Sequence, residues 1–227
     1  MAFPALAERV ADVRSRIDAA VARGGHGQKV RIVAVTKTHG PDAVSAAYGV
    51  GLHDVGENKV QEAVKKMADV EVPVHWHLIG HLQRNKVKAL EQFVLLHSLD
   101  SPRLADAACA FGVARGRAVD ALLELNLSRE GSKGGYSLSE LLPEAERLVS
   151  LSGIRIRGVM TMASFTATES QLHRTFAEAR EARAALIGVG HPATELSMGM
   201  SNDYEIAVEE GATMVRLGTT LFGAREK

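Results

Sequence analysis

The first apolar residues recur at helical steps: Leu6, Val10, Val13, Ile17 and Val21 follow one another until Gly24-Gly25 stops the pattern. This predicts an amphipathic leading helix, with Pro4 at a plausible first position. Val30 to Val35 is then almost continuously apolar, as in a strand covered on both faces. The run ends in Thr36-Lys37, and Gly40-Pro41-Asp42 breaks the chain ahead of a short Ala-rich helix. From there strand-like and helical patterns alternate. His53 to Gly56, Val74 to Ile79, Val94 to Leu99, Val119 to Leu127, Ile154 to Met162, Thr194 to Met198 and Thr213 to Leu217 read as strands.

Helical patterns fall between them. Val60, Ala63, Val64 and Met67 form one stripe, with Glu62 placed to pair with Lys66 one turn on. Val87, Leu90 and Phe93 mark a second helix, and Ser101-Pro102 caps a third carrying Leu104, Ala107, Ala108 and Phe111. Ser137 and Glu140 have capping-box spacing, but Pro143 would interrupt a helix begun there, so the pattern favours a turn and a helix opening at Pro143. Thr168 with Gln171 is a better placed box, ahead of Leu172, Phe176, Ala179, Leu186 and Ile187. The last helix is expected from about Asn202 to Glu210, closed by Gly211.

Eight strands, nearly all followed by a helix, imply parallel strands with crossover connections. In a chain somewhat shorter than the typical ~250 residues this favours an α/β fold of one kind, a single (β/α)8 TIM barrel with an extra N-terminal helix, over residues 1–227. An open doubly wound sheet is the alternative, weakened by the absence of a Gly-x-Gly-x-x-Gly turn after the first strand.

Composition narrows the function classes. The 227 residues carry 27 Lys plus Arg against 27 Asp plus Glu, so no excess positive field is available to hold nucleic acid. Cys109 is the single cysteine, which excludes an internal disulfide and a cysteine-based metal cluster and fits a reducing compartment. No apolar run approaches the roughly 20 residues needed to span a bilayer, and the amino terminus lacks a secretory signal. The expectation is a soluble, cytoplasmic protein without membrane or nucleic-acid partners.

In such barrels function collects at the carboxyl ends of the strands. Lys37 follows the first strand and Glu57-Asn58 the second, with His77 and His81 at the end of the third. Ser201-Asn202-Asp203 opens a helix, where free N–H groups favour an anion, and Gly218-Thr219 after the last strand lets an oxyanion approach the backbone. Together these read as a phosphate cradle. A partly desolvated Lys37 would act as a nucleophile toward an aldehyde. With Arg216 on the same rim, the set suits pyridoxal 5′-phosphate. His75 and His77 lack a neighbouring carboxylate or cysteine in the sequence, so no metal is expected. The segment Ser128 to Tyr136 reads as a mobile rim loop.

The segments Val-Ala-Val-Thr-Lys (33–37), Gly-Glu-Asn-Lys-Val-Gln-Glu (56–62), Trp-His-Leu-Ile-Gly-His-Leu-Gln-Arg-Asn-Lys (76–86), Leu-Ser-Met-Gly-Met-Ser-Asn-Asp (196–203) and Val-Arg-Leu-Gly-Thr-Thr-Leu-Phe-Gly-Ala-Arg (215–225) resemble, in order and over nearly the whole chain, the pyridoxal phosphate homeostasis proteins. The resemblance implies a barrel like the amino-terminal domain of alanine racemase, of the type III pyridoxal phosphate fold, with the cofactor as an aldimine on Lys37. By the same match Ser201, Gly218 and Thr219 would hold the phosphate, Arg216 would face the pyridine nitrogen, and Asn58, His77 and Ser197 would line the ring.

It also implies a holder of the vitamin B6 pool rather than a dedicated enzyme. An Arg beside the pyridine nitrogen would keep it unprotonated and weaken the electron sink. With five residues after Phe222, no second domain is expected to close the site. A low-activity amino-acid racemase using Lys37 as its single base is the alternative. Apo forms of enzymes that use the cofactor are candidate recipients, and a monomer is expected.

Overall fold

The apolar runs close on one another in sequence order. The computed structural model describes residues 3–127 and 134–223. Among these, eight strands form a closed barrel, each parallel to the next and the last paired with the first. The strands are β1 (Arg31–Val35), β2 (Asp54–Glu57), β3 (His75–Leu78), β4 (Leu95–Leu99), β5 (Val119–Leu125), β6 (Ile154–Thr161), β7 (Glu195–Ser197) and β8 (Met214–Leu217). Helices α1 (Leu6–Gly24), α2 (Pro41–Gly49), α3 (Val60–Ala68), α4 (Pro102–Ala114), α5 (Leu138–Val149), α6 (Glu169–Val189), α7 (Tyr204–Glu209) and α8 (Thr219–Phe222) surround it.

Two apolar layers follow from the strand alternation. Val33, Leu95, Leu122, Met160 and Met214 form a cluster of their own inside the barrel. The larger cluster, running from Leu6 to Phe222, fills the space between sheet and helices. Helix α1 packs on α7, where Arg16 and Arg23 pair with Glu205 and Glu209. The leading helix therefore covers the side of the barrel where β7 and β8 meet.

Three sequence expectations change. The stretch with Val87, Leu90 and Phe93 is a 3-10 helix, Arg84–Gln92, rather than an α-helix. Its apolar residues recur every three positions, which stacks them on one face of a helix with three residues per turn. Helix α5 begins at Leu138 and carries Pro143 inside it. The Glu140 carboxylate accepts from both the N–H and the hydroxyl of Ser137, and this cap together with the burial of Leu141, Ala145 and Leu148 offsets the cost of the proline. Ser201 is not a helix cap: Asp203 holds that position before the six-residue α7, and the short α8 after Gly218 had no forecast.

The ends of β1 and β2 are fastened by a buried ion pair. Lys66, from α3, is 5% exposed and reaches inward to Glu57, which is fully buried. Its Nζ lies 2.5 Å from Glu57 Oε1 and donates to the Thr36 carbonyl at 2.8 Å. The Thr36 hydroxyl donates to the same Glu57 oxygen at 2.6 Å. Burial pushes the Glu57 carboxyl above its ordinary range, against the pull of Lys66 and Thr36. Beyond Lys37, Thr38 stands at φ 68 with its N–H donating to Glu62. A β-branched residue in this left-handed region is strained, and the surrounding bonds hold it there.

Strand β6 bends at Gly158, where the register against β5 shifts. Gly158 has φ 152, and a Cβ there would lie 1.8 Å from the Glu195 carbonyl oxygen of β7. Only glycine lets the strands approach this closely. Gly158→Ala is accordingly expected to lower the unfolding free energy by about 3 kcal/mol, read from the urea midpoint at unchanged slope. Lys66→Ala, which leaves the buried Glu57 without its cation, is expected to cost a similar ~3–5 kcal/mol in the same assay. A midpoint like the unsubstituted chain's in either variant would contradict these packing assignments.

Candidate functional site at the carboxyl end of the barrel

A cavity of about 760 Å³ opens at the carboxyl ends of the strands. Every strand delivers a side chain or a following turn to it. Lys37 comes after β1, Asn58 after β2, Gly80 and His81 after β3, and Asp100 after β4. Glu124 of β5, Met162 after β6, the turn 200–203 after β7, and Arg216, Gly218 and Thr219 of the β8 end complete the wall. Lys37 is half-buried, and its backbone directly follows Thr36, which the Glu57–Lys66 cluster holds in place. Asn58 is held equally closely: a Cβ on Gly80 would fall 2.4 Å from the Asn58 carbonyl oxygen, so glycine there lets the β2 and β3 ends converge.

The turns after β7 and β8 are tied together. The Ser201 hydroxyl accepts from the Thr220 N–H at 3.3 Å, and Asp203 accepts from the Met200 N–H at 2.6 Å. Ser201, Gly218 and Thr219 thus form one lobe of the cavity.

Arg216 forms the floor. The residue is 5% exposed. Nη1 donates to the Ser197 hydroxyl at 2.6 Å and to the Ser197 carbonyl at 2.8 Å, and Nη2 donates to the Thr161 carbonyl at 3.0 Å. Among the described residues it makes no ion pair. Burial brings it down to about 10, opposed by the more distant carboxylates of Asp203 and Glu124.

His77 and Ser197, expected on the wall, lie one layer deeper. Ile79 lines the cavity, and His77, two residues earlier on the same strand face, points into the barrel interior below it. There His77 Nδ1 meets His97 Nε2 at 2.9 Å, His77 Nε2 meets Asp54 Oδ1 at 2.9 Å, and His97 Nδ1 meets the Ser197 hydroxyl at 2.9 Å. His77 and Ser197 are therefore supports of the floor rather than parts of the wall.

Of the wall facing the cradle, the sequence pointed to His81 alone. That wall holds Glu124, Asp100 and His81, whose Nδ1 lies 2.6 Å from Asp100 Oδ2. Burial, with the neighbouring charge of Asp100, raises the Glu124 carboxyl to about 7. Asp120, Leu122 and Glu124 alternate along β5, and that period of two could have turned Glu124 inward on sequence grounds. Of the rim loop, residues 128–133 lie outside the described residues. Its returning end is fixed, since the Tyr136 N–H donates to the Glu124 carbonyl and the Tyr136 hydroxyl to Glu144. Among the described residues no group of three His, Cys, Asp or Glu side chains could hold a metal ion, and no helix is long and apolar enough to cross a membrane.

Comparison with known proteins agrees with the barrel fold. Residues 9–226 match the alanine racemase N-terminal domain family. The pyridoxal phosphate homeostasis protein of Pseudomonas aeruginosa is 40% identical over 224 residues, covering 97% of this chain and 96% of that protein. The structure of PipY from Synechococcus elongatus without pyridoxal phosphate superposes with a TM-score of 0.87 at 37% identity, covering 96% of this chain and 100% of PipY. PipY with pyridoxal phosphate bound gives a TM-score of 0.84 at 36% identity over the same shares. The alanine racemase of Corynebacterium glutamicum shares the fold alone, with a TM-score of 0.75 at 15% identity, over 99% of this chain and 62% of the racemase. The chain thus belongs to the pyridoxal phosphate homeostasis proteins, within the alanine racemase N-terminal domain family.

Proposed function

We propose that this protein binds pyridoxal 5′-phosphate in the cavity through Lys37, and that it holds and exchanges the cofactor in vitamin B6 homeostasis without dedicated catalysis. The observation that carries this reading is the convergence on one cavity of a lysine, a hydroxyl-lined lobe and a buried guanidinium. Relatives named for this role, and PipY with the cofactor bound, support it. We further read the protein as a cytoplasmic monomer, with apo enzymes that use the cofactor as recipients.

The donor set fits the group. The cofactor supplies an aldehyde, which condenses with an amine as water leaves, and an electron-withdrawing ring. Lys37 offers the amine. Ser201 and Thr219 offer hydroxyls, and Gly218 an unobstructed backbone, to a phosphate. Arg216 can donate but not accept, so it would leave a ring nitrogen unprotonated and the ring a poor electron sink. Asn58 stands between the lysine and the wall formed after β3. The arrangement favours retention of the cofactor over chemistry upon it.

Purified protein mixed with pyridoxal phosphate is expected to become yellow and to fix the cofactor irreversibly on borohydride reduction, whereas Lys37→Ala does neither. Equal spectra for the two proteins would defeat the reading, and a colourless adduct with a carbonyl substrate would point instead to Schiff-base chemistry without cofactor. Glu124 sets a pH dependence. Its carboxyl, ordinarily near 4.5 and raised to about 7, is neutral at pH 6 and anionic at pH 8, where it repels a phosphate-bearing ligand in the same cavity. Glu124→Gln is expected to bind pyridoxal phosphate as the unsubstituted chain does at pH 6 and several-fold more tightly at pH 8. A ratio of dissociation constants that is flat with pH would remove Glu124 from the account.

A further inference from the structure

The interior of the barrel holds a hydrogen-bonded chain that runs from the cavity floor to the opposite mouth. Its members are Arg216, Ser197, His97, His77 and Asp54, on five strands. His77 is 1% exposed and His97 fully buried. At the far end, Asp54 and His77 line a small opening at the amino ends of the strands, with Arg31 and Glu195 beside them.

With both imidazoles neutral, the chain admits a single order of protons. Arg216 can only donate, so the Ser197 oxygen accepts from it. Asp54 is ionised: burial opposes its charge, but His77, by its hydrogen bond and by electrostatic attraction, and after it Arg31 and His75 outweigh this and hold its carboxyl below the ordinary range. His77 must therefore present Nε2–H to Asp54, which leaves Nδ1 to accept from His97 Nε2–H. His97 Nδ1 then accepts the Ser197 hydroxyl proton. The reverse order requires a doubly protonated His77 and leaves the Ser197 proton seeking another acceptor. Every bond is thus polarised the same way, from guanidinium to carboxylate, and such chains strengthen their members. Arg216, which has no ion pair among the described residues, obtains its counter-charge through four intervening bonds.

We propose that Asp54, with His77 and His97, is a positioning residue for Arg216: from the opposite mouth of the barrel it fixes two histidine tautomers and so orients the guanidinium that faces the bound cofactor. This rests on the reading of the cavity as a pyridoxal phosphate site. Two measurements keep the two readings apart.

In the cofactor-free full chain labelled with ¹⁵N-histidine, two-bond proton–nitrogen correlation is expected to show His77 and His97 both protonated on Nε2 with bare Nδ1. A proton on His97 Nδ1 would overturn the relay whatever the protein binds. In the cofactor-loaded chain, Asp54→Asn and Ser197→Ala are each expected to raise the dissociation constant for pyridoxal phosphate about tenfold and to move its absorption band. Their effects should not add in the double variant, because each cuts the same chain. Additive effects, or binding and spectrum like the unsubstituted chain in both single variants, would overturn the proposal. Should Asp54→Asn fail to fold, Ser197→Ala and the tautomer measurement still decide it. Failure of the unsubstituted chain to take up the cofactor would sink the binding reading alone.

Discussion

The placement of Lys37 at the cavity depends on the ion pair that Lys66 makes beneath it. A lysine amine brought into a protein interior is costly unless its charge is met at once, and here Glu57 and the Thr36 carbonyl meet it together. The three groups come from β2, α3 and the residue after β1, so one cluster locks the two strand ends and the helix behind them. Lys37 is the next residue along the chain. Its amine is presented by backbone that cannot turn away without uncovering a buried charge, and the strained Thr38 on its other side shows how fully that position is determined.

The two basic residues facing the cavity are held by opposite means. Lys37 stands on a rigid turn and is half-buried at the rim, where a long stem lets its amine reach into the cavity. Arg216 is buried at the floor and bound on two of its nitrogens by protein oxygens, so it contributes direction without mobility. A site that retains a cofactor needs both, a reversible tether and a fixed donor. The acidic wall across from the cradle adds a carboxyl that changes charge near neutrality, which makes retention responsive to conditions.

Much of this was legible in the chain. The barrel follows from eight apolar runs with helical stripes between them, because parallel strands need crossover connections. Lys37 could be singled out because it ends a buried strand, and Gly218-Thr219 because glycine follows the last one. The layer beneath was harder to read. His77 and Ser197 carry polar side chains at strand ends, which points to a wall, and only the stagger of neighbouring strands tells that they sit a layer lower. Glu124 lies within a mostly apolar run, and only its alternation with Asp120 and Leu122 marks it as facing the barrel interior. Helix α5 tolerates Pro143 because the Ser137 cap and the buried face of Leu141, Ala145 and Leu148 together offset the lost hydrogen bond and the crowding of the proline ring.

The central claim, that the barrel holds the cofactor for exchange rather than turning it over, has one direct measurement. Protein loaded with pyridoxal phosphate is incubated with L-alanine and, in parallel, with an apo enzyme that requires the cofactor. The enzyme's activity is expected to recover as the yellow band of the loaded protein fades, with no D-alanine formed at ordinary enzymatic rates. Rapid formation of D-alanine, abolished by Lys37→Ala, would contradict it and make the protein a racemase.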